Sequence, residues 1–527
     1  MALALFSRMV ILALRKRLLH SAISLIISIT YAGQASATSS PASDQDLVTR
    51  HVQIYQKNPG STPPMSRSFL HSPTRELPPE LDIGAIYHPF IPQSLTEKQS
   101  HPLLDPAVQE QISATTQSDL TYGNKLSVVT NGETFQEKLR MLDRTKHFFV
   151  STTMLFNCDA SVEPFVQKML TRQREGIAIY LIVDRFFSSA GFDECLQRLM
   201  KGGVNVLYNE ASTPIVHRRF FHDKFTVRDG VEGLVEGPNV VDIQSDADGF
   251  NGLYRDTGVV ITGPAVTDLL SEAQRLWRYL APSKLNQKNG VPSELPFTSV
   301  VAEQTAKELL AASREIGGRV TQSARLKNLD GACRVVFQGP HREPDLVSRA
   351  YEAYLSRASS YIAVPSQRKN FAGFESGDES AKWKDRLVDL VLERSRNGVR
   401  VDFFMNFHNT PFTVVPPNTR PTPPITRLMK VWDTLTLSRR QKGALTLFNE
   451  EGGPGLEVWS YFQYYHSKHV IIDQVAGGVG SFNLDNLSSE KNHEMVLLCN
   501  DSSLIEQLQR MTALDMLNSV PMLSKSR

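Results

Sequence analysis

The sequence predicts an α/β protein of two similar lobes, each a mostly parallel sheet flanked by helices, related by a pseudo-twofold axis with the active site between them. The pattern His-x-Lys-x4-Asp occurs twice, in HDKFTVRD from His222 and in HSKHVIID from His466. Strand and helix patterns alternate in the same order before each copy. Segments such as IAIYLIVD are continuously apolar, which is typical of strands buried in a parallel sheet.

The first half of the chain shows strand, helix, strand, helix and strand patterns in turn. They cover residues 126–129, 131–146, 147–155, 162–176 and 177–184, and Gly176 ends the second helix. The second half repeats this order at 334–338, 345–358, 360–365, 382–398 and 399–406, with Gly398 in the place of Gly176. The repetition indicates an internal duplication, so that a monomer supplies both lobes.

The length of 527 residues, with 41% apolar and 21% charged residues, is too great for one ordinary core. We predict a signal peptide at 1–37, a Pro/Ser/Thr-rich lead-in at 38–120, a first lobe at 121–280 and a second lobe at 333–520. A connector at 281–332 contains one predicted helix, near 299–316. A Pro-rich loop, HNTPFTVVPPNTRPTPP, interrupts the second lobe.

The first residues have the pattern of an export signal. Basic residues at 15–17 precede an apolar stretch at 18–31 and an Ala35-Ser36-Ala37 cleavage pattern. The sequence therefore predicts export, to a periplasmic, membrane-associated or secreted location. An uncleaved amphipathic anchor is the alternative.

The charge and the cysteines limit the partners. A net charge of +2 argues against nucleic acid as a partner, because affinity for nucleic acid comes largely from neutralising phosphates. The four cysteines lack the spacing of metal ligands, and no HExxH pattern occurs, so neither a metal nor another cofactor is expected. One or two disulfides and four buried thiols are both compatible with the sequence.

The two motifs predict a phosphate site. Positions i and i+2 of a strand point to the same side, so His222 lies beside Lys224, and His466 beside Lys468. Two such strands facing each other would surround a phosphoryl group with two imidazoles and two ammonium groups. The expected ligands of the non-bridging oxygens, besides the lysines, are Asn239, Asn483 and Ser481.

Two histidines permit covalent catalysis at phosphorus. One neutral imidazole attacks while the other delivers a proton to the leaving oxygen, and the roles reverse when water or an alcohol attacks. Asp229 and Asp473 are expected to hydrogen-bond an imidazole nitrogen, of the same motif or of the opposite one. Asp256 and Glu494 each precede an apolar strand, and are either acceptors for these histidines or strand-edge carboxylates.

These residues resemble the phospholipase D superfamily, and the segments EGPNV, YRDTGVVITGPAVTDLLSEAQRLW and GSFNLDNLSSEKNHEMVLL resemble its cardiolipin-synthase-like branch. The resemblance covers about residues 124–515. It implies a two-lobed α/β fold, metal-independent phosphodiester chemistry through a phosphohistidine, and a phospholipid substrate. It also implies that His222 is the nucleophile and His466 the acid, although the reverse assignment has been argued for some members.

Two residues depart from the pattern of that family. Glu236 replaces a usual Gly, and a carboxylate pointing into the pocket would weaken anion binding; Gln474 replaces another Gly. The leading hypothesis is an exported phospholipase D or phosphatidyltransferase that acts on glycerophospholipids at a membrane surface, with water or an alcohol as acceptor. A secreted nuclease and a catalytically weak lipid-binding effector are the alternatives.

Overall fold

The computed structural model describes residues 101–525, apart from 159, 190–192, 211–219, 242–253, 293–299, 323–330, 367–385, 406–444, 462–463, 486–487, 490–491 and 518. The predicted signal peptide at 1–37, most of the lead-in and the Pro-rich loop lie outside the described residues.

The first lobe is built on a seven-stranded sheet in the order β1-β8-β6-β5-β2-β3-β4. The strands of this sheet are β1 Lys125–Thr130, β2 Phe148–Thr153, β3 Ala178–Asp184, β4 Asn205–Asn209, β5 Phe225–Arg228, β6 Glu232–Glu236 and β8 Thr257–Thr262. The short strand β7, Tyr254–Arg255, precedes β8 and pairs outside the sheet. After helix α1, Pro106–Thr116, its helices are α2 Gly132–Arg144, α3 Glu163–Arg174, α4 Arg185–Ser189, α5 Asp193–Lys201 and α6 Ala265–Leu280. Helices α7 Lys284–Lys288 and α8 Val300–Gln322 lie in the connector.

The second lobe is built on an eight-stranded sheet in the order β17-β12-β11-β10-β14-β15-β16-β9. The strands of this sheet are β9 Ala332–Gln338, β10 Tyr361–Ser366, β11 Arg400–Met405, β12 Leu456–Tyr461, β14 His469–Ile472, β15 Ala476–Gly480, β16 Glu494–Asn500 and β17 Ser519–Ser524. The short strand β13, Tyr464–Tyr465, lies outside the sheet and pairs with β7 of the first lobe. Its helices are α9 Leu346–Leu355, α10 Arg386–Arg396 and α11 Ser502–Leu517.

The α/β class and the two similar lobes are confirmed, but the prediction of mostly parallel sheets is wrong. Only the pairs β2-β3, β3-β4, β10-β11 and β11-β12 are parallel, and the other described pairs within the two sheets are antiparallel. The physical reason lies in the motifs, because β5 turns into β6, and β14 into β15, through three residues. Such a short link can join only antiparallel neighbours.

Helices cover both faces of each sheet. Helices α6 and α11 lie between the sheets, since α6 contacts β9 of the second sheet and α11 contacts β1 of the first. Their apolar faces share one core with both inner sheet faces, for example through Phe225, Leu269, Val479 and Leu508. Helices α2, α3 and α5 cover the outer face of the first sheet, and α9 and α10 that of the second. This central core brings the two lobes together at the level of the motifs.

Both predicted helix-ending glycines adopt the left-handed conformation. Gly176 has φ +88° and Gly398 has φ +86°, just after α3 and α10. Glycine takes this conformation without the steric cost that a side chain imposes. The buried strands β3 and β11 follow directly in both lobes.

The end of the lead-in is ordered against the second lobe, where α1 packs on α9. The buried guanidinium of Arg334 on β9 donates hydrogen bonds to the side-chain and main-chain oxygens of Gln109 at 2.7 and 3.1 Å.

The cysteines form two disulfides, Cys158–Cys195 and Cys333–Cys499. The first joins the segment after β2 to α5, and the second joins facing residues of β9 and β16. Within the described ranges, no helix combines the length and the apolar character needed to cross a membrane.

Candidate active site

Two short strand pairings join the lobes beside the motifs. Phe221 pairs in parallel with His493, and the His222 N–H donates to the His493 carbonyl at 3.1 Å. On the other side Tyr465 pairs with Arg255, whose carbonyl accepts from the His466 N–H at 2.8 Å. The residues paired here precede Glu494 and Asp256, so each motif histidine lies beside a carboxylate of the opposite lobe.

The imidazole of His222 is bonded to Glu494, with 2.9 Å between Nδ1 and the carboxylate. Both side chains are buried. Glu494 also accepts hydrogen bonds from Ser488 at 2.7 Å, Asn492 at 3.1 Å and Ser481. Burial alone would raise the pKa of Glu494, but its interaction with His222, the charge of Lys224 and the hydrogen bond from Ser481 hold the pKa below its usual value. Glu494 is therefore an anion at neutral pH.

Burial lowers the pKa of His222 to about 4, against the opposing charge of Glu494. The ring is therefore neutral at neutral pH. Because the ionised Glu494 can only accept, Nδ1 carries the proton and Nε2 carries the lone pair. A neutral imidazole with its Nε2 lone pair available is the form that can attack phosphorus.

The second motif histidine, His466, and its carboxylate, Asp256, differ from His222 and Glu494 in how they hold a proton. We call each motif with its partner carboxylate a half-site. His466 Nδ1 contacts the carboxylate of Asp256, which also accepts the Thr257 N–H at 2.9 Å. Burial raises the pKa of Asp256 to about 7, although Lys468 opposes the shift. Lys468 Nζ lies 3.0 Å from His466 Nδ1. Asp256 and His466 can thus share a proton near neutral pH, which is the property required of a general acid.

The two motif lysines belong to one buried cluster. Lys224 Nζ donates to the His222 carbonyl at 3.0 Å, and Lys468 Nζ donates to the His466 carbonyl. Burial, together with the charge of Lys468, lowers the pKa of Lys224 to about 7. Burial likewise lowers the pKa of Lys468 to about 8. Because the charge of Lys468 disfavours a charge on Lys224, the pair favours a bound anion, and a phosphoryl group would restore both charges.

The predicted phosphate ligands differ in what they contact. The amide oxygen of Asn239 accepts the Leu155 N–H at 3.2 Å, which orients the amide beside the first motif. Asn483 is buried after β15, at the corresponding place in the second lobe. Ser481 was predicted to bind phosphate, but its hydroxyl donates to Glu494 instead. Ser481 directly follows β15, and this hydrogen bond orients the carboxylate of Glu494.

The prediction that Asp229 and Asp473 hydrogen-bond the imidazole of a motif histidine is wrong. Asp229 accepts the main-chain N–H groups of Lys146, His147 and Phe148 at 2.8–2.9 Å. Asp473 accepts those of Ser359, Ser360 and Tyr361, and also contacts His101 Nε2 at 2.8 Å. In each motif a whole strand, β5 or β14, separates the Asp from the His. The Asp therefore lies at the opposite end of that strand from the His. These carboxylates anchor the hairpin turn to the start of β2 or β10.

Two further clusters, which the sequence analysis missed, hold the interlobe pairings. Behind Asp256, Arg255 pairs with Asp515 of α11, which also accepts from the Tyr465 hydroxyl at 2.8 Å. Behind Glu494, Glu272 of α6 binds His341 and, at 2.6 Å, Arg342 of the second lobe. The His341 ring stacks on His493 at 5.0 Å. In the sequence, the one signal for these clusters is that His493 directly precedes Glu494 and that Arg255 directly precedes Asp256.

The unusual Glu236 is paired rather than exposed to the pocket. Its carboxylate lies 2.8 Å from Lys138 Nζ on α2, and both side chains are buried. Burial raises the pKa of Glu236 to about 7 against the effect of Lys138. Gly480 is at the corresponding position in the second lobe, where an added Cβ would lie 2.2 Å from the Met495 carbonyl oxygen. A cation outside the motif thus offsets the extra carboxylate.

Comparisons with known proteins agree with this geometry. Residues 381–514 match the family model described as "Cardiolipin synthase, PLD-like domain". Cardiolipin synthase 2 of Bacillus anthracis is 22% identical over 398 residues, which are 74% of this chain and 64% of that protein. Cardiolipin synthase A of Pseudomonas syringae pv. syringae is 22% identical over 401 residues, which are 74% of this chain and 68% of that protein. The chain thus spans about two-thirds of the length of these curated relatives.

Among solved structures, the phosphatidylserine synthase of Haemophilus influenzae superposes with a TM-score of 0.52 at 13% identity. The superposition covers 79% of this chain and 92% of that one. This similarity shows the shared two-lobed fold. With the duplicated motif and the family matches, it supports a protein similar to the cardiolipin-synthase-like members of the phospholipase D superfamily.

Proposed function

We propose that the protein is an exported phosphatidyltransferase or phospholipase D that acts on glycerophospholipids through a covalent phosphohistidine, without a metal ion. The observation that carries the proposal is the buried cluster in which each motif histidine is bonded to a carboxylate of the opposite lobe. Two lysines complete that cluster. It contains a nucleophile, a proton donor and positive charge for one phosphoryl group.

In the first step, His222 Nε2 attacks phosphorus. A P–N bond forms, the P–O bond to the head group breaks, and the leaving oxygen takes a proton from His466 Nε2, while Asp256 holds the Nδ1 side of the same ring. In the second step, water or an alcohol gives its proton to His466 and attacks phosphorus, the P–N bond breaks, and His222 is regenerated. The same pair therefore acts first as the acid and then as the base.

The positive charge for the transition state comes from the chain itself. Lys224 and Lys468 face the non-bridging oxygens, and the amides of Asn239 and Asn483 provide further hydrogen-bond donors. A prearranged set of this kind can supply the electrostatic stabilisation that a metal supplies elsewhere. This is the physical basis for proposing metal independence.

A lipid substrate and phosphatidyl transfer are supported by the similar proteins, which are named as cardiolipin synthases and as a phosphatidylserine synthase. Export is supported by the signal pattern at residues 1–37 and by the two disulfides, which persist in oxidising compartments. The net charge of +2 favours lipid over nucleic acid.

The test is product analysis by mass spectrometry. The purified protein is incubated with mixed phospholipids and EDTA, with and without an added primary alcohol, beside a plasmid-nicking assay. We expect phosphatidyl-alcohol or phosphatidic acid to form, and His222→Ala and His466→Ala each to abolish it. Unchanged turnover in the double variant, or nicking without lipid turnover, would refute the proposal.

A further inference from the structure

A basic surface lies at the end of α6 and on α7. Between Glu272 and Pro292 the chain has four cations and no Asp or Glu. The four cations are Arg275, Arg278, Lys284 and Lys288, and all are exposed. Among the described residues, no carboxylate forms an ion pair with Arg278, Lys284 or Lys288, and Glu272 lies 3.6 Å from Arg275. We call these four residues and Tyr279 the α6–α7 patch.

The acids near this patch are already paired with other cations. Glu272 is fully buried and holds His341 and Arg342. Glu210, which follows β4 where α7 packs, is 3.0 Å from Arg185. The patch therefore keeps an excess of positive charge in a protein whose net charge is only +2.

Tyr279 adds an amphipathic side chain to this charge. It is 42% exposed, and only Met522 is a comparably exposed large apolar side chain in the described part of the chain. Tyrosine favours the level of lipid head groups, because its ring is apolar and its hydroxyl is polar. Lysine and arginine extend their aliphatic stems over apolar material and keep their charges in the polar layer.

The patch lies at the same end of the molecule as the catalytic cluster, by which we mean His222, His466, their carboxylates and the two motif lysines. Strand β8 starts beside Asp256 and runs away from the cluster, and α6 then returns along the sheet over sixteen residues. At the end of α6, the Tyr279 ring is 6.3 Å from the ring of His493, which precedes Glu494. A surface in contact with the patch would therefore border the site where the phosphodiester reacts.

We infer that the α6–α7 patch binds the surface of an anionic phospholipid bilayer and so holds the active site against its substrate. The inference rests on the proposed function, because it takes lipid as the substrate. Each cation near an anionic membrane strengthens binding roughly fivefold, so four cations and one interfacial tyrosine suffice for reversible attachment.

The test is flotation of the full-length protein with vesicles of phosphatidylcholine, alone or mixed with phosphatidylglycerol, at low and high salt. We expect binding to the mixed vesicles that weakens with salt. The patch variant, Arg275→Gln/Arg278→Gln/Lys284→Gln/Lys288→Gln, should bind roughly 600-fold less, which is about fivefold for each of the four cations. Tyr279→Ser should weaken binding to both kinds of vesicle.

The matched control, Lys125→Gln/Lys146→Gln/Lys201→Gln/Lys307→Gln, removes four exposed cations elsewhere and should bind like the original protein. Equal binding by the patch variant and this control, or no binding of the unaltered protein to anionic vesicles, would overturn the inference.

Turnover of a short-chain phospholipid, kept monomeric in solution, separates this inference from the proposed function. The patch variant should turn over this substrate at the original rate, which also shows that it folds. If the unaltered protein binds vesicles through the patch but turns over no lipid, the membrane surface stands and the proposed function fails.

Discussion

The two half-sites occupy corresponding positions in the two lobes, yet their chemistry differs. Glu494, which holds His222, is surrounded by side-chain donors and keeps a lowered pKa. Asp256, which holds His466, has Thr257 N–H as its hydrogen-bonded main-chain donor, and burial raises its pKa to about 7. One half-site therefore holds a negative charge and the other holds a titratable proton.

This difference shows how a duplicated motif can perform two tasks. The His, Lys and Asp that define the motif are the same in both copies, so these three residues cannot distinguish a nucleophile from an acid. The distinction comes from the partner carboxylate and its own neighbours, which lie outside the motifs.

Exchanging each carboxylate for its amide should give the largest effect. In Glu494→Gln the amide can donate to His222 Nδ1, which moves the imidazole proton to Nε2 and removes the nucleophile. We expect kcat to fall on the order of 10⁴-fold, as when a triad carboxylate is replaced by its amide. Asp256→Asn should cost less, about 10- to 100-fold, because His466 can still carry a proton.

Steady-state kinetics on the same phospholipid measures both variants. Glu457→Gln, a buried carboxylate of the second lobe away from the cluster, serves as the matched control and should keep its kcat. Equal losses in Glu494→Gln and Asp256→Asn would contradict the division of roles.

The pH dependence of kcat/KM should show the same division. His222 must be neutral, so the acid limb should lie near its pKa of about 4, and activity should fall at alkaline pH as Asp256, with a pKa of about 7, loses its proton. Asp256→Asn should displace the alkaline limb alone. Glu494→Gln removes a charge that raises the pKa of His222, so its residual activity should have an acid limb at lower pH. An alkaline limb that Asp256→Asn leaves in place would contradict the assignment.

The lobes also differ at Glu236 and Gly480, and this difference should appear in stability. Lys138→Met leaves the buried carboxylate of Glu236 without its cation, and we expect the free energy of unfolding to fall by about 3–5 kcal/mol. Adding Glu236→Gln removes that charge and should restore most of the loss. Urea unfolding of the two single variants and the double variant measures the coupling, and additive losses would show that the pair is not linked.

The smallest expected effect concerns Asp473, which contacts His101, whereas Asp229 has no such His among the residues described. His101→Ala should lower the free energy of unfolding by roughly 1–3 kcal/mol at neutral pH. Burial would raise the pKa of Asp473, but His101 and the main-chain donors hold it at about 2.

This depressed pKa stabilises the fold above the unfolded-state pKa and the contribution is lost as the pH falls toward about 2. The loss caused by His101→Ala should therefore shrink in acid. Urea unfolding at neutral and acid pH tests this, and a loss that does not change with pH would contradict the role of the contact.

The sequence predicted the strands, helices and helix-ending glycines of both lobes, because each element has its own local pattern. It also indicated Asp256 and Glu494, since Asp256 directly precedes a buried strand and Glu494 begins one. It could not show that each acid serves the histidine of the opposite lobe, because the pairings of Phe221 with His493 and of Tyr465 with Arg255 are long-range contacts.

The errors have the same origin. Asp229 and Asp473 have the same spacing from the histidines of their motifs. The intervening strand, however, places both carboxylates away from the motif imidazoles. The mixed sheets follow from the tight turns after the motifs, which local strand patterns do not reveal. The Lys138 partner of Glu236 lies on a helix nearly one hundred residues earlier, beyond the reach of any local pattern.

The central claim is that His222 is the nucleophile and that His466 with Asp256 is the acid and base. It is tested most directly by mass spectrometry of His466→Ala and His222→Ala after mixing with phosphatidyl-p-nitrophenol, whose leaving group needs no proton. We predict that His466→Ala releases p-nitrophenol once and accumulates a phosphatidyl adduct on the peptide that contains His222, while His222→Ala forms no adduct. An adduct on His466 in His222→Ala would contradict the account.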